Sequence, residues 1–210
     1  MAEPPNPRVN FLAALLVLTY LAGTALLVLT PELGLRALEK EGAVEQASHL
    51  VLVAAIVAYA VVALRSRRPL VLLLSLFLTL VLLEELDWGD VYSQNQLATF
   101  FQAETGDVNF HNRWGGHSYL LFALPVPAYG LSAFYPAWLR EPLERALGPA
   151  APDRRASVAM LACVATLIVG LLALSAYEQQ LDELNELVIY LWFGGVAALA
   201  ARPQSARESG

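Results

Sequence analysis

Apolar runs of about 20 residues recur along this chain, long enough at 1.5 Å per residue to cross a bilayer core of roughly 30 Å. They cover residues 11–30, 43–64, 70–88, 117–139 and 156–177, and a sixth run, 184–201, is shorter and more polar at its start. A soluble domain is not built this way. The 210 residues are 57% hydrophobic and 15% charged, whereas soluble chains are about 45–50% apolar and about 25% charged. The expected fold is all-α, a polytopic membrane helical bundle of about six transmembrane helices. It forms a single membrane domain over residues 1–210, with one short interfacial helix and an ordered outer loop. Pro125 and Pro127 predict a kink in the fourth span.

Charge excludes other classes. A net charge of −6 and a pI near 5.0 leave no basic surface for nucleic acid. Cys163 is the single cysteine and lies in an apolar run, so a disulfide-stapled domain is excluded. Residues 11–30 are too long for a signal-peptide core. Arg8 is their one nearby basic residue and no small-x-small site follows closely, so a retained first span is expected.

Lys and Arg set the orientation. With six spans, ten of the 13 basic residues fall in the N-terminus, the second–third loop, the cytoplasmic loop 140–155 and the C-terminus. Arg36, Lys40 and Arg113 fall on the other side. The positive-inside rule then places both termini in the cytoplasm, in the plasma membrane or, for a bacterium, the inner membrane. Two segments do not span. Residues 31–42 read as a short helix on the outer surface, with Thr30 as N-cap and Pro31 at its first position. Residues 89–116 form an outer loop whose length and aromatic content point to order and function.

Fourteen of the 19 acids and all three histidines fall on the non-cytoplasmic side. Glu84 sits about 21 Å along the third span, where a charge costs up to roughly 2.5–3.5 kcal/mol at mid-membrane and less towards the interface. Glu84 and Asp87 share a helix face, as do Glu84 and Trp88, while Glu85 points about 100° away. Glu45 and His49 form a second i, i+4 pair at the start of the second span. Asp182, Glu183 and Glu186 open the sixth. Three helices thus bring carboxylates to one level. The outer loop adds Asp90, Asp107, Asn109, His111 and Asn112, and His117 precedes the fourth span. Carboxylate, amide and imidazole together suit a divalent cation of hard or borderline character. Glu84, Asp87, His111, His49 and His117 are the expected metal ligands, and Glu85 or Glu45 the expected general base. No HExxH, CxxC, EF-hand loop, GxSxG elbow or Walker loop occurs. Tyr190 and Trp192 read as interfacial or packing aromatics, and Gly194–Gly195 as a close helix contact.

The segment Glu84-Glu85-Leu86-Asp87-Trp88-Gly89-Asp90, followed by Asp107-Val108-Asn109-Phe110-His111-Asn112, resembles a group of poorly characterised bacterial multi-spanning proteins. That group carries E-E-x-x-W-G-x at the end of a span and E-x-N-x-H-N some twenty residues later. The group usually has Ser, Gln and Glu where this chain has Asp87, Asp90 and Asp107. The resemblance implies one site shared by the third span and its loop. A fainter likeness, in Asp87-Trp88-Gly89-Asp90-Val91-Tyr92, is to alkaline ceramidases. Their late-span H-x-x-x-H pair has no counterpart here.

The favoured function is a metal-dependent enzyme, of hydrolase type, acting on a lipid or other amphipathic substrate at the outer face. A non-catalytic subunit of a membrane complex, with a protein partner or an oligomer, stays open. So does an ion- or proton-coupled transporter. The bilayer itself is a partner under every reading.

Overall fold

A computed structural model describes residues 6–39, 42–86, 125–173 and 175–202. Among them every regular element is helical. The α-helices are α1 (Pro7–Leu29), α2 (Pro31–Ala37), α3 (Ala43–Ser66), α4 (Pro69–Glu85), α5 (Pro125–Leu131), α6 (Ala137–Leu147), α7 (Arg154–Ala173) and α8 (Glu178–Ala200). Short 3₁₀ turns at Ser132–Phe134, Gly148–Ala150 and Ser175–Tyr177 join the later helices. Three helices, α1, α3 and α8, are long and apolar enough to cross a membrane.

Local chemistry sets the helix starts. Asn6 caps α1, its side-chain oxygen accepting from the Arg8 N–H at 3.0 Å, and Pro7 takes the first position. Pro31 and Pro69 open α2 and α4 in the same way. Thr30 does not cap α2 with its side chain as expected. Its hydroxyl donates back to the Leu26 carbonyl at 3.0 Å, the local bond that competes with capping.

Buried stripes at three- and four-residue spacing then choose the partners. On α3 the stripe is Glu45, Ser48, Leu52, Ala55, Tyr59 and Val62. On α4 it is Val71, Ser75 and Leu78. On α8 it begins at Leu181, Leu184 and Val188 and continues through Trp192 and Val196. Helix α3 therefore lies between α4 and α8, while α8 also packs on α1 and α7. The Ser75 hydroxyl donates to the Ile56 carbonyl at 3.0 Å across the α3–α4 pair.

Polarity is inverted relative to a soluble bundle. Phe11, Leu18, Val28, Leu50, Leu64 and Leu73 are exposed, whereas Glu45, Ser48, Ser75 and Glu84 are buried. Large apolar side chains pointing outward all round belong in lipid, with the polar groups turned between helices. The molecule fits an integral membrane protein.

Two expectations need correction. The described part of the fourth span, 117–139, is not one helix. Helix α5 stops at Leu131, a 3₁₀ turn follows, and Pro136 starts α6 through much of the expected loop 140–155. A break falls at Pro136, whose ring forces the preceding residue out of helix; the chain before Pro125, where a kink was also expected, lies outside the described residues. The last helix begins at Glu178, six residues before the expected 184.

The chain after α6 is latched to α3 and α4. The Tyr59 and Tyr129 hydroxyls lie 3.2 Å apart, and Tyr129 donates on to the Ala150 carbonyl. Gly148 has φ +57, and a Cβ there would collide with the Arg68 guanidinium. A Gly148→Ala variant is therefore expected to lose about 1–3 kcal/mol. Thermal unfolding in detergent would check this, with an unchanged midpoint counting against the latch.

Candidate functional site

The acidic site lies where the start of α3, the end of α4 and the start of α8 meet. Helices α3 and α8 run parallel and α4 runs back between them in sequence, so residue 45, residue 85 and residues 182–190 share one end of the bundle. Val44, beside Glu45, packs against a small apolar cluster of Leu27, Leu38, Leu167, Leu181 and Leu184. The described residues of the site all stand on regular helix.

Glu45 and His49 stand one turn apart on α3, with His49 Nε2 3.8 Å from Glu45 Oε1. Glu45 and Glu84 are buried at 6% and 7% exposure. Glu85 is half-buried and its Oε1 accepts the Tyr190 hydroxyl proton at 2.9 Å, tying α4 to α8. Glu186 is the centre of the group: Glu85, Glu183, Asp182 and Glu45 all act on it electrostatically. Five carboxylates from three helices thus fall within one field. In a low-dielectric setting such a group favours shared protons or a bound cation.

Of the expected site residues, Glu45, His49, Glu84, Glu85, Glu183 and Glu186 are described, and α3, α4 and α8 bring them to the same end. The expected ligands Asp87, His111 and His117 lie outside the described residues, as do Trp88, Asp90, Asp107, Asn109 and Asn112. Among the described residues no three His, Cys, Asp or Glu side chains are placed to hold a metal ion. The carboxylate oxygens offer hard donors of the right chemistry. Completing a coordination shell requires further ligands.

Tyr190 is the residue that sequence reasoning missed, having been grouped with the packing aromatics. Its spacing was the available signal, since residue 190 follows Glu186 by one helical turn and shares its face. Asn185 was also passed over. Its side-chain oxygen is buried and has no hydrogen-bond partner among the described residues.

Comparison with known proteins finds no matching family model, no similar curated protein and no similar solved structure.

Proposed function

We propose that this chain is an integral membrane protein of about six spans, both termini cytoplasmic, that uses its outer-face acidic cluster to bind a divalent cation and to act on a lipid or other amphipathic substrate. The observation that carries the proposal is the convergence on Glu186 of carboxylates from α3, α4 and α8. Helices that are otherwise apolar hold these acids together at a desolvation cost, which a function would justify and packing alone would not. In this reading Glu84, Asp87, His111, His49 and His117 hold the cation. Glu85 or Glu45 accepts a proton, and Tyr190 orients Glu85. A bound divalent ion would supply Lewis-acid polarisation of the reacting oxygen.

Metal analysis of the purified full chain tests it, with Glu84→Gln and His111→Ala alongside. About one equivalent of a divalent metal in the wild type, lost in both variants, is the expected result. No metal in a well-folded wild type would overturn the cation mechanism.

A second reading, a non-catalytic subunit of a membrane complex, draws on the Tyr190–Glu85 hydrogen bond, which joins two helices as a structural tie would. Such ties contribute about 0.6–2 kcal/mol. It expects site substitutions to disrupt assembly with a partner and to leave no catalytic defect to find.

A further inference from the structure

Helix α6 sits at the other end of the bundle from the acidic site. Its last turn meets the α3–α4 turn, where Gly148 lies against the Arg68 guanidinium. Ser132 before the helix and Ala151 after it line one crevice with Arg140, Leu143 and Leu147. Two turns of α6 are thus held against the bundle. Its 11 residues span about 16 Å, too short to cross a bilayer.

At about 100° per residue the helix has three faces. Arg140, Leu143 and Leu147 turn to the bundle and are half-buried or buried. Glu141, Glu144 and Arg145 form an exposed polar face. On the remaining side Trp138, Leu139, Pro142 and Ala146 form an exposed apolar face, with Trp138 76% exposed. One face belongs to protein and one to water. The third needs another medium.

Pro142 narrows what that medium can be. It has no N–H for the Trp138 carbonyl one turn back. A carbonyl deprived of its helical partner is disfavoured in hydrocarbon, and an apolar face this open is disfavoured in water. The headgroup boundary meets both demands, and tryptophan concentrates there. A protein partner fits less well, because a stable interface takes roughly 20–30 residues a side and this face offers four. Arg140 and Arg145 are balanced by Glu141 and Glu144, so the apolar face and not charge would hold the helix.

We infer that α6 lies in the lipid–water boundary of the leaflet at this end, its Trp138 face against lipid and its Glu141 face in water. The break at Pro136 then marks where the chain leaves the bilayer and turns along its surface. The inference rests on the chain's membrane placement and is independent of the acidic site.

Nitroxide labels on Ala146→Cys and Glu141→Cys, each in a Cys163→Ala background, would test it in phosphatidylcholine nanodiscs. Collisions with oxygen, which concentrates in lipid, and with a water-soluble nickel chelate report depth. The label at position 146 should lose contact with the chelate and keep it with oxygen, and the label at 141 should show the reverse. Trp138→Glu, with circular dichroism unchanged, should return the 146 label to the chelate. A 146 label as open to the chelate as the 141 label would put α6 in water and overturn the inference. A 146 label that meets neither reagent would overturn it too, because a second copy or a partner protein would then cover the face. So would depth that appears only when phosphatidylglycerol is added, since charge would then be the anchor. A chain that does not enter the discs would strike the membrane placement itself. Should Cys163→Ala fail to fold, bromine-labelled phosphatidylcholine decides: the emission that Trp138→Phe removes should be the quenched part of the wild-type signal. Unquenched emission from Trp138 would overturn the inference.

Discussion

Replacing Trp192 with alanine is expected to cost about 3–5 kcal/mol, among the largest effects of any single change in this chain. The indole is fully buried. It stands edge-on to Tyr129 at 5.2 Å and to Phe193 at 5.0 Å between ring centroids. Tyr129 and Phe193 are themselves stacked at 5.6 Å, and Phe193 meets Tyr59 edge-on at 6.4 Å. Within a bilayer, van der Waals packing of this kind replaces the hydrophobic effect as the force between helices. Phenylalanine at position 192 should be much milder, at about 1–2 kcal/mol by the same packing scale. The reason is that Trp192 Nε1 is buried with no hydrogen-bond partner among the described residues, so phenylalanine removes no bond seen there. Unfolding of the three proteins in one detergent measures both differences. If phenylalanine proves as damaging as alanine, the indole N–H must be bonded in the folded protein.

The second large effect changes sign with conditions. In the presence of a chelator and at alkaline pH, where Glu186 carries its charge, Glu186→Gln is expected to stabilise the protein by about 1–3 kcal/mol, because one charge leaves a site where four other carboxylates act on it. For a chain of this length each 1 kcal/mol moves the thermal midpoint by about 2–4 °C. With a divalent cation added, the wild type should gain stability by mass action, and the variant, which keeps the proposed ligands but loses a carboxylate beside them, should gain less. The order of the two midpoints would then reverse. A variant that is less stable both with and without cation would show that Glu186 acts as a hydrogen-bonding strut, and the cation reading would fall.

Much of this architecture was legible in the sequence. The bounds of α1, α3 and α4 follow from apolar runs and prolines, and structure and sequence differ there by a few residues at most. The start of α8 was hidden for a physical reason. Glu178, Asp182, Glu183 and Glu186 lower the hydropathy of its first turns, although Leu181, Leu184 and Val188 already keep the buried helical spacing. Periodicity carried the signal that hydropathy suppressed. The break before α6 went unread because Pro125 and Pro127 stand out in an apolar run. Pro136, nearer the polar segment, also interrupts the helix. At the site, the Glu45–His49 pair and the burial of Glu84 were readable from spacing and depth. The bond from Tyr190 to Glu85 joins residues 105 apart. No local pattern encodes such a contact, which exists only once α4 and α8 are neighbours.

That separation has a consequence for how the protein is made. A ribosome delivers α3 and α4 together as a hairpin, but the carboxylates of α8 arrive some hundred residues later. Of the three long apolar helices, α8 is the least hydrophobic, and its acidic first turns would enter lipid poorly alone, since an acid costs up to roughly 2.5–3.5 kcal/mol at mid-membrane and still disfavours insertion towards the interface. The earlier hairpin offers it a partly polar seam, lined by Glu45, Ser48 and Glu84. Insertion of α8 thus depends on a receptor that the nascent chain has already built. The acidic centre comes into being as a late event of biogenesis, when translation is past residue 186.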